Sequence, residues 1–524
     1  MNKFVFSVFW ILGSALSTVA TAGLGFHSDL PFIQESHIAI LPDSTPASCD
    51  IRALLVDRYG SVWAATAAGV YVVDPATMKC RLAGGEQIAG PAFALALSST
   101  GTVWIGAWNG LYQATPAGLK KNPHLQEPVS AILMQGDRVL AFGPGGHWAV
   151  TQRGVAKLDG PLPRSVRAVQ PDGRGGFYLA TERGLFHQHG QGLKVLQKNE
   201  ELVGATVSDV ELDADGMLWI GGLGGITLYR NGKRSGQLTP AQGLPFITIQ
   251  SLTAAPDGTM WIGTHQGVVR YQDMGWSVRN SRRWLLHDDV RDIAFDQSGR
   301  AWIATARGIS LHAPRRMTLA QKAEHFQRIT EARHIRAPYL VEKCRLKSPG
   351  DTLNWEPRDD DNDGQYTAMY LAMESFRYAA SRAPQARENA RRAFAALRFL
   401  QTITETDGFV ARTVVPANWS RMADPNRHYT EQEWAETLVE NPREKRVENM
   451  WRRSRDGQWL WKGDTSSDEI TGHMFGYLYY YDLVADAAER QVVRDHVCRI
   501  VDYIITSDLT LKDMDGRHSQ WALW

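Results

Sequence analysis

Cysteine is scarce in this chain: four in 524 residues, at Cys49, Cys80, Cys344 and Cys498, with no C-x-x-C spacing among them. That excludes the common zinc-ribbon and dithiol redox motifs. An excess of one charge is lacking too. Fifty-seven Lys and Arg stand against 56 Asp and Glu, a net charge of +1, so no global field draws the chain to nucleic acid or to an anionic membrane. After the first residues no apolar run is long enough to span a bilayer. G-x-S-x-G, the P-loop and H-E-x-x-H are absent as well, which removes the usual signatures of serine hydrolases, nucleotide triphosphatases and zinc peptidases.

What is plentiful is tryptophan, 18 residues, and glycine, 47, and both recur at a fixed period. The stretch Asp213 to Tyr229 (D-A-D-G-M-L-W-I-G-G-L-G-G-I-T-L-Y) reads as a turn, a short apolar strand, a second turn and an alternating strand. The same unit returns around Trp63, Trp104, Trp261 and Trp302, with weaker copies at Tyr178 and around Leu140. Steps between the aligned positions are 41, 36, 38, 41, 42 and 41 residues. About 40 residues holding four short strands is the period of a propeller blade, and seven copies predict seven blades. The tryptophans and glycines are expected to pack and turn the blades, with the five tryptophans at equivalent strand positions and mostly buried.

Over roughly Ile51 to Ala313 these repeats resemble the propeller repeats of periplasmic ligand-binding sensor domains attached to two-component regulators. The resemblance implies a ligand-sensing role, although no kinase or second span follows in this sequence. Met1 to Ala22 has the form of a secretory signal peptide: Lys3, an apolar core over Phe4 to Leu16, and an A-x-A site at Ala20 to Ala22. The expected organisation is therefore a leader over 1–22, a seven-bladed β-propeller over 23–316 and a helical domain over 317–524, in a periplasmic protein. His37 to Leu41 is a candidate strand to close the propeller ring. In an oxidising compartment the four cysteines allow three pairings; Cys49 and Cys80, flanking the first blade, are expected to lie close enough for a bridge.

After Pro314-Arg315-Arg316 the period changes from strand to helix. Leu319 to Arg336 is amphipathic with Thr318 as N-cap. Tyr366 to Arg382 and Ile470 to Ala485 are apolar almost all round, as inner helices would be, and Pro384 to Thr404 and Ala487 to Ser507 are amphipathic, as outer ones would be. This alternation, with the stretches D-N-D-G-Q-Y-T-A-M-Y-L-A and G-D-T-S-S-D-E-I-T-G-H, resembles the six-hairpin glycosidase-like (α/α) toroids. A full toroid has twelve helices and needs more than the 208 residues present here, so an incomplete toroid is expected.

Candidate chemistry gathers in that region. Asp464, Asp468, Glu469 and His473 fall at the start of a predicted helix, where the dipole and free N–H groups favour anionic groups. Glycoside hydrolysis needs paired carboxylates, and these could form one half of such a site. The plainer reading is capping by Ser467 or Thr465. The toroid resemblance adds Asp363 as an acid at the mouth of the ring. Trp459, Trp461, Lys462 and Arg412 are candidate substrate-binding residues, because aromatic faces suit sugar rings and cations suit uronate carboxylates. Asp359, Asp361 and Asp363 have the first half of a calcium-loop spacing, but position twelve is Tyr370 rather than a bidentate Glu; otherwise no metal or cofactor is expected. Two functions stand: an exported propeller protein binding carbohydrate or another small ligand, with a protein partner conceivable on a propeller face, or a carbohydrate-active hydrolase or lyase. The reading leans to binding.

Overall fold

The computed structural model describes residues 29–524 apart from 85–87, 89, 152, 159–161, 164, 191 and 197–201, with the backbone alone at 519–521. The leader expected over 1–22 lies outside the described residues. Two units result, one of Phe32–Arg316 and one of Met317–Trp524 that takes in the chain up to Pro31. Among the described residues, no helix is long and apolar enough to cross a membrane.

The first unit is a seven-bladed propeller. Six four-stranded antiparallel sheets follow in chain order, and a seventh is built from Val290–Phe295, Ala301–Thr305 and Gly308–Met317 with Phe32–Ile40 added outside them. That added strand includes most of the expected closing segment, and the Ser36 hydroxyl donates to the Ala313 carbonyl at 3.0 Å. First strands of successive blades lie side by side, Ile51–Val56 meeting Val290–Phe295 to complete the ring. Between each pair of neighbouring blades sits its own apolar cluster, seven in all.

The repeat works through one hydrogen-bonding device. Trp63, Trp104, Trp219, Trp261 and Trp302 each occupy the second position of their blade's second strand. In three blades an aspartate in the preceding hairpin holds that tryptophan. Asp57, Asp213 and Asp296 accept two backbone N–H groups on Oδ1 and the indole N–H on Oδ2, the last at 2.9, 2.7 and 2.9 Å. In four blades the second strand ends in a threonine whose hydroxyl donates to a glycine carbonyl three residues on, as Thr264 does to Gly267 at 2.7 Å. Gly267 has φ +119°, and a Cβ there would sit 2.6 Å from the Arg279 carbonyl, so only glycine fits the hairpin.

All four cysteines are free thiols. No disulfide joins Cys49 and Cys80, expected from the sequence to lie close enough for one; Cys49 Sγ donates to the Asp43 carbonyl at 3.3 Å. Burial, with Cys49 close by, pushes the Cys80 thiol up to about 11.

In the second unit six helices carry the chain: α1 (Leu319–Arg333), α2 (Asp363–Ser381), α3 (Pro384–Thr402), α4 (Glu431–Glu440), α5 (Ser467–Leu483) and α6 (Ala487–Thr506). Thr318 caps α1 in a capping box with Gln321, and Pro384 starts α3, where its missing N–H costs nothing. Helices α2 and α5 approach closely because small residues face each other: a Cβ on Gly476 would meet Ala368 backbone at 2.7 Å, and one on Gly472 the Gln365 side chain at 2.5 Å. One core unites α2, α3, α5 and α6 around Phe394, Leu397, Tyr477 and Tyr480. The expectation that α2 and α5 are buried all round is corrected here. Met369 and Phe376 on α2 and Phe475 and Leu478 on α5 are exposed, since the described elements cover each helix on one side only.

Candidate functional site

A cleft of about 830 Å³ opens at the N-terminal end of α5. One wall is the turn Gly463–Ser466 leading into that helix. Another is the three-stranded sheet Val414–Pro416, Trp451–Arg453 and Trp459–Lys462. Arg412 and Lys462 reach the cleft from this sheet and its approach, and Asp464, Ser466, Ser467 and Asp468 reach it from the helix start.

The charges interlock. Arg412 donates to Asp464 Oδ2 at 2.7 Å and through Nε to the Asp361 carbonyl at 2.9 Å. Lys462 pairs with Asp361 and, at 2.8 Å, with Asp424. Burial works against both cations, but the surrounding carboxylates outweigh it and hold them above their ordinary range. Lys445 donates to the Thr465 carbonyl and lies 3.5 Å from Asp513. Here burial wins over Asp513 and Asp464, and the amine falls below its usual value.

Two polar atoms in this wall are buried without a hydrogen-bond partner, Asp464 Oδ1 and Ser466 Oγ. The capping explanation of the acid cluster meets a difficulty here. The N-cap is Ser466, not Ser467 or Thr465, and its side chain makes no capping bond. Asp468 alone of the predicted acids is exposed, and it faces the cleft.

Glu469, His473 and Asp363 lie behind the wall, wholly buried. Glu469 Oε1 accepts the Gln365 N–H at 2.9 Å and stands 3.6 Å from His473 Nε2, while its Oε2 has no partner. Burial, against the opposing pull of Arg412, raises the Glu469 carboxyl well above its normal range. Burial lowers His473 to about 3; its Nδ1 bonds the Tyr477 hydroxyl at 2.9 Å, which reaches His496 at 2.9 Å. Burial thus favours the uncharged form of both groups. Asp363 shares Arg336 with Glu342, at 2.6 and 2.8 Å. With one cation between two buried carboxyls, burial lifts Asp363 to about 7 and Glu342 to about 8.

Trp459 and Trp461 are not at the cleft. Alternation along the strand Trp459–Lys462 sends both rings to the core side, Trp459 against Phe399 and Trp461 against Phe409, and sends Lys462 the other way. The half calcium loop is divided among partners: Asp359 accepts the Trp419 indole at 3.1 Å, Asp361 meets Lys462, and Asp363 meets Arg336. Sequence reading missed Asp424, Arg427, Arg443 and Lys445, all of which line the cleft. Arg443 to Arg446 reads as a solvated charge run after α4; only its fold-back onto Thr465 and Asp513 brings Lys445 inside.

No family model and no curated protein matches the chain. Among solved structures it is similar to the extracellular domain of a hybrid two component system from B. thetaiotaomicron, at 18% identity over 53% of this chain and 40% of that one, with TM-score 0.46. It is similar also to streptogramin B lyase, at 15% identity over 54% of this chain and 98% of that one, with TM-score 0.45. The WD40 β-propeller domain of Doa1 follows at 12% identity, over 54% and 97%, with TM-score 0.43. The chain thus spans less than half the length of the two component structure it matches.

Proposed function

We propose that this chain is an exported ligand-binding protein of sensor type, and that its second unit takes up a polyhydroxylated anion of the uronate-sugar class in the cleft at the start of α5. The observation that carries this reading is the cleft's make-up. Arg412, Arg427, Arg443, Lys445 and Lys462 gather around the unpartnered Asp464 Oδ1 and Ser466 Oγ. A buried polar atom without a partner costs about 1–3 kcal/mol, a cost that sugar hydroxyls filling the cleft would remove. Cations on the rim suit a carboxylate. Binding is favoured over turnover because Asp464 is committed to Arg412 and Asp361 to Lys462. Glu469 is wholly buried and does not line the cleft.

Calorimetric titration with a panel of uronate-containing and neutral oligosaccharides tests this. Uronates should bind, Arg427→Ala and Asp468→Asn should alter affinity by tenfold or more, and no product should form. Equal affinity for neutral glycans, or wild-type affinity in both variants, sinks the proposal.

One observation favours a second reading, a hydrolase or lyase: burial favours the protonated form of Glu469, the form a general acid needs. Bond cleavage in the same panel that is lost in Glu469→Gln and Asp464→Asn would replace the binding reading with this one.

A further inference from the structure

The fourth blade departs from the arrangement of blades 1, 5 and 7. Its hairpin aspartate, Asp172, accepts the Arg174 and Gly176 N–H groups on Oδ1 at 2.7 and 2.8 Å, as its counterparts do. Yet the residue at the tryptophan position is Tyr178, which offers no indole N–H. Opposite Tyr178 stands His187, where blades 1, 5 and 7 carry Val72, Leu228 and Leu311. His189 follows two residues on, on the same face of the strand Gly184–His189. Both imidazoles turn onto the oxygen that an indole would have occupied: His187 Nε2 is 3.0 Å and His189 Nδ1 2.9 Å from Asp172 Oδ2. Tyr178 stacks on His187 at 4.3 Å and fixes the ring.

We propose that Asp172, His187 and His189 form a binding site for a divalent transition ion of the zinc class. Their three ligand atoms lie within 4.8 Å of one another, and this is the only such group of His, Cys, Asp and Glu among the described residues. Two imidazoles and one carboxylate are the donor set that zinc, cobalt and nickel prefer over calcium or magnesium. An ion at about 2.0–2.2 Å from each donor would replace the two N···O hydrogen bonds, with each ring's proton carried on its other nitrogen. The Asp172 side chain is almost fully buried, while His189 remains half exposed, so the carboxylate is anchored and the entry side is open. Both histidines also line a cleft of about 540 Å³ shared with Arg174 and Asn231. Three protein ligands leave a coordination position directed there for water or an anionic ligand.

The test is cobalt(II) titration of the chelator-treated full chain, followed by its visible d–d absorption, with zinc(II) competition. One equivalent should bind, zinc should displace it, and zinc should raise the Tm. His189→Ala, at an exposed position that leaves the blade core intact, should weaken binding by at least about tenfold and abolish the Tm shift. Asp172→Asn, which keeps the Oδ1 acceptor for the turn, should do the same. Absence of a cobalt spectrum at millimolar metal, or wild-type affinity in His189→Ala, overturns the proposal.

Discussion

The two units treat buried acids in opposite ways. In the propeller, Asp57 is satisfied by donors two, four and six residues along the chain, and Asp213 and Asp296 repeat the pattern. Nothing in that arrangement needs the rest of the molecule. In the helical unit, Asp363 depends on Arg336 at a separation of 27 residues, Asp464 on Arg412 at 52 and Glu469 on Gln365 at 104. Each also keeps one oxygen, Asp363 Oδ1, Asp464 Oδ1 and Glu469 Oε2, without a partner. A locally satisfied acid is scaffold; among the acids satisfied at a distance and only in part, Asp464 lines the cleft and leaves polar capacity for a ligand.

The sharpest way to break that contrast is Arg336→Met. Removing the guanidinium strands Asp363 and Glu342 in the interior, and loss of one partner from a buried pair costs about 3–5 kcal/mol. Urea unfolding should show this in the helical transition, and adding Asp363→Asn should recover part of it. A loss under 1 kcal/mol would mean that the two units hold their acids alike.

Next in size is a pH effect in the propeller at Asp209, an acid that does not follow the local rule. Its Oδ2 accepts the Leu252 N–H of the next blade at 2.7 Å. Asp209 is only partly exposed, and burial, offset in part by the Leu252 and Val210 N–H groups, raises its carboxyl to about 8. The folded state thus holds this proton more tightly than the unfolded state. Its stabilising effect is complete below about pH 4, declines as pH rises, and is gone above about pH 8. Wild-type stability should therefore fall by on the order of 1–3 kcal/mol across that window relative to Asp209→Asn. Parallel pH profiles for the two proteins would remove the raised pKa from the account.

A smaller effect is expected from Trp302→Phe. The indole is buried and donates to Asp296; the phenyl ring keeps most of the packing and loses the bond, for about 1–1.5 kcal/mol. Tyr178→Phe, in the blade whose aspartate is held by histidines instead, should cost less than half of that by thermal denaturation.

The same contrast explains what could be read from the chain. Seven blades, the shared strand position of Trp63 to Trp302 and the closing strand near His37 follow from short-range patterns that repeat, so each copy confirms the others. The helix boundaries at Thr318 and Pro384 are legible for the same reason, since a cap is chemistry within four residues. The cleft is not local. Asp464 and Arg412 were visible as charged residues near predicted helices, but Lys445, Arg427 and Asp424 lie in the irregular segments on either side of α4. Trp459 and Trp461 were misplaced because strand alternation fixes only that they share a face, not which side the core is on.

The smallest expected effect belongs to the pair on the surface of the fourth blade. Arg167 donates to Glu182 at 3.0 Å, with side chains 45% and 59% exposed. Water competes for both groups, salt screens them, and ordering two long side chains offsets most of the attraction, so such pairs contribute about 0–1 kcal/mol. Arg167→Ala should shift the denaturation midpoint by less than about 0.5 kcal/mol, and less still in high salt. Arg300→Ala is the matched comparison: its Nε meets the buried Asp296 at 2.7 Å and its guanidinium lies over Trp302. It should cost more, because it removes one of the local donors that hold a blade aspartate. If the exposed pair proved as costly as the buried one, solvent screening would not be what separates them, and the distinction between local scaffold acids and ligand-ready acids would lose its physical basis.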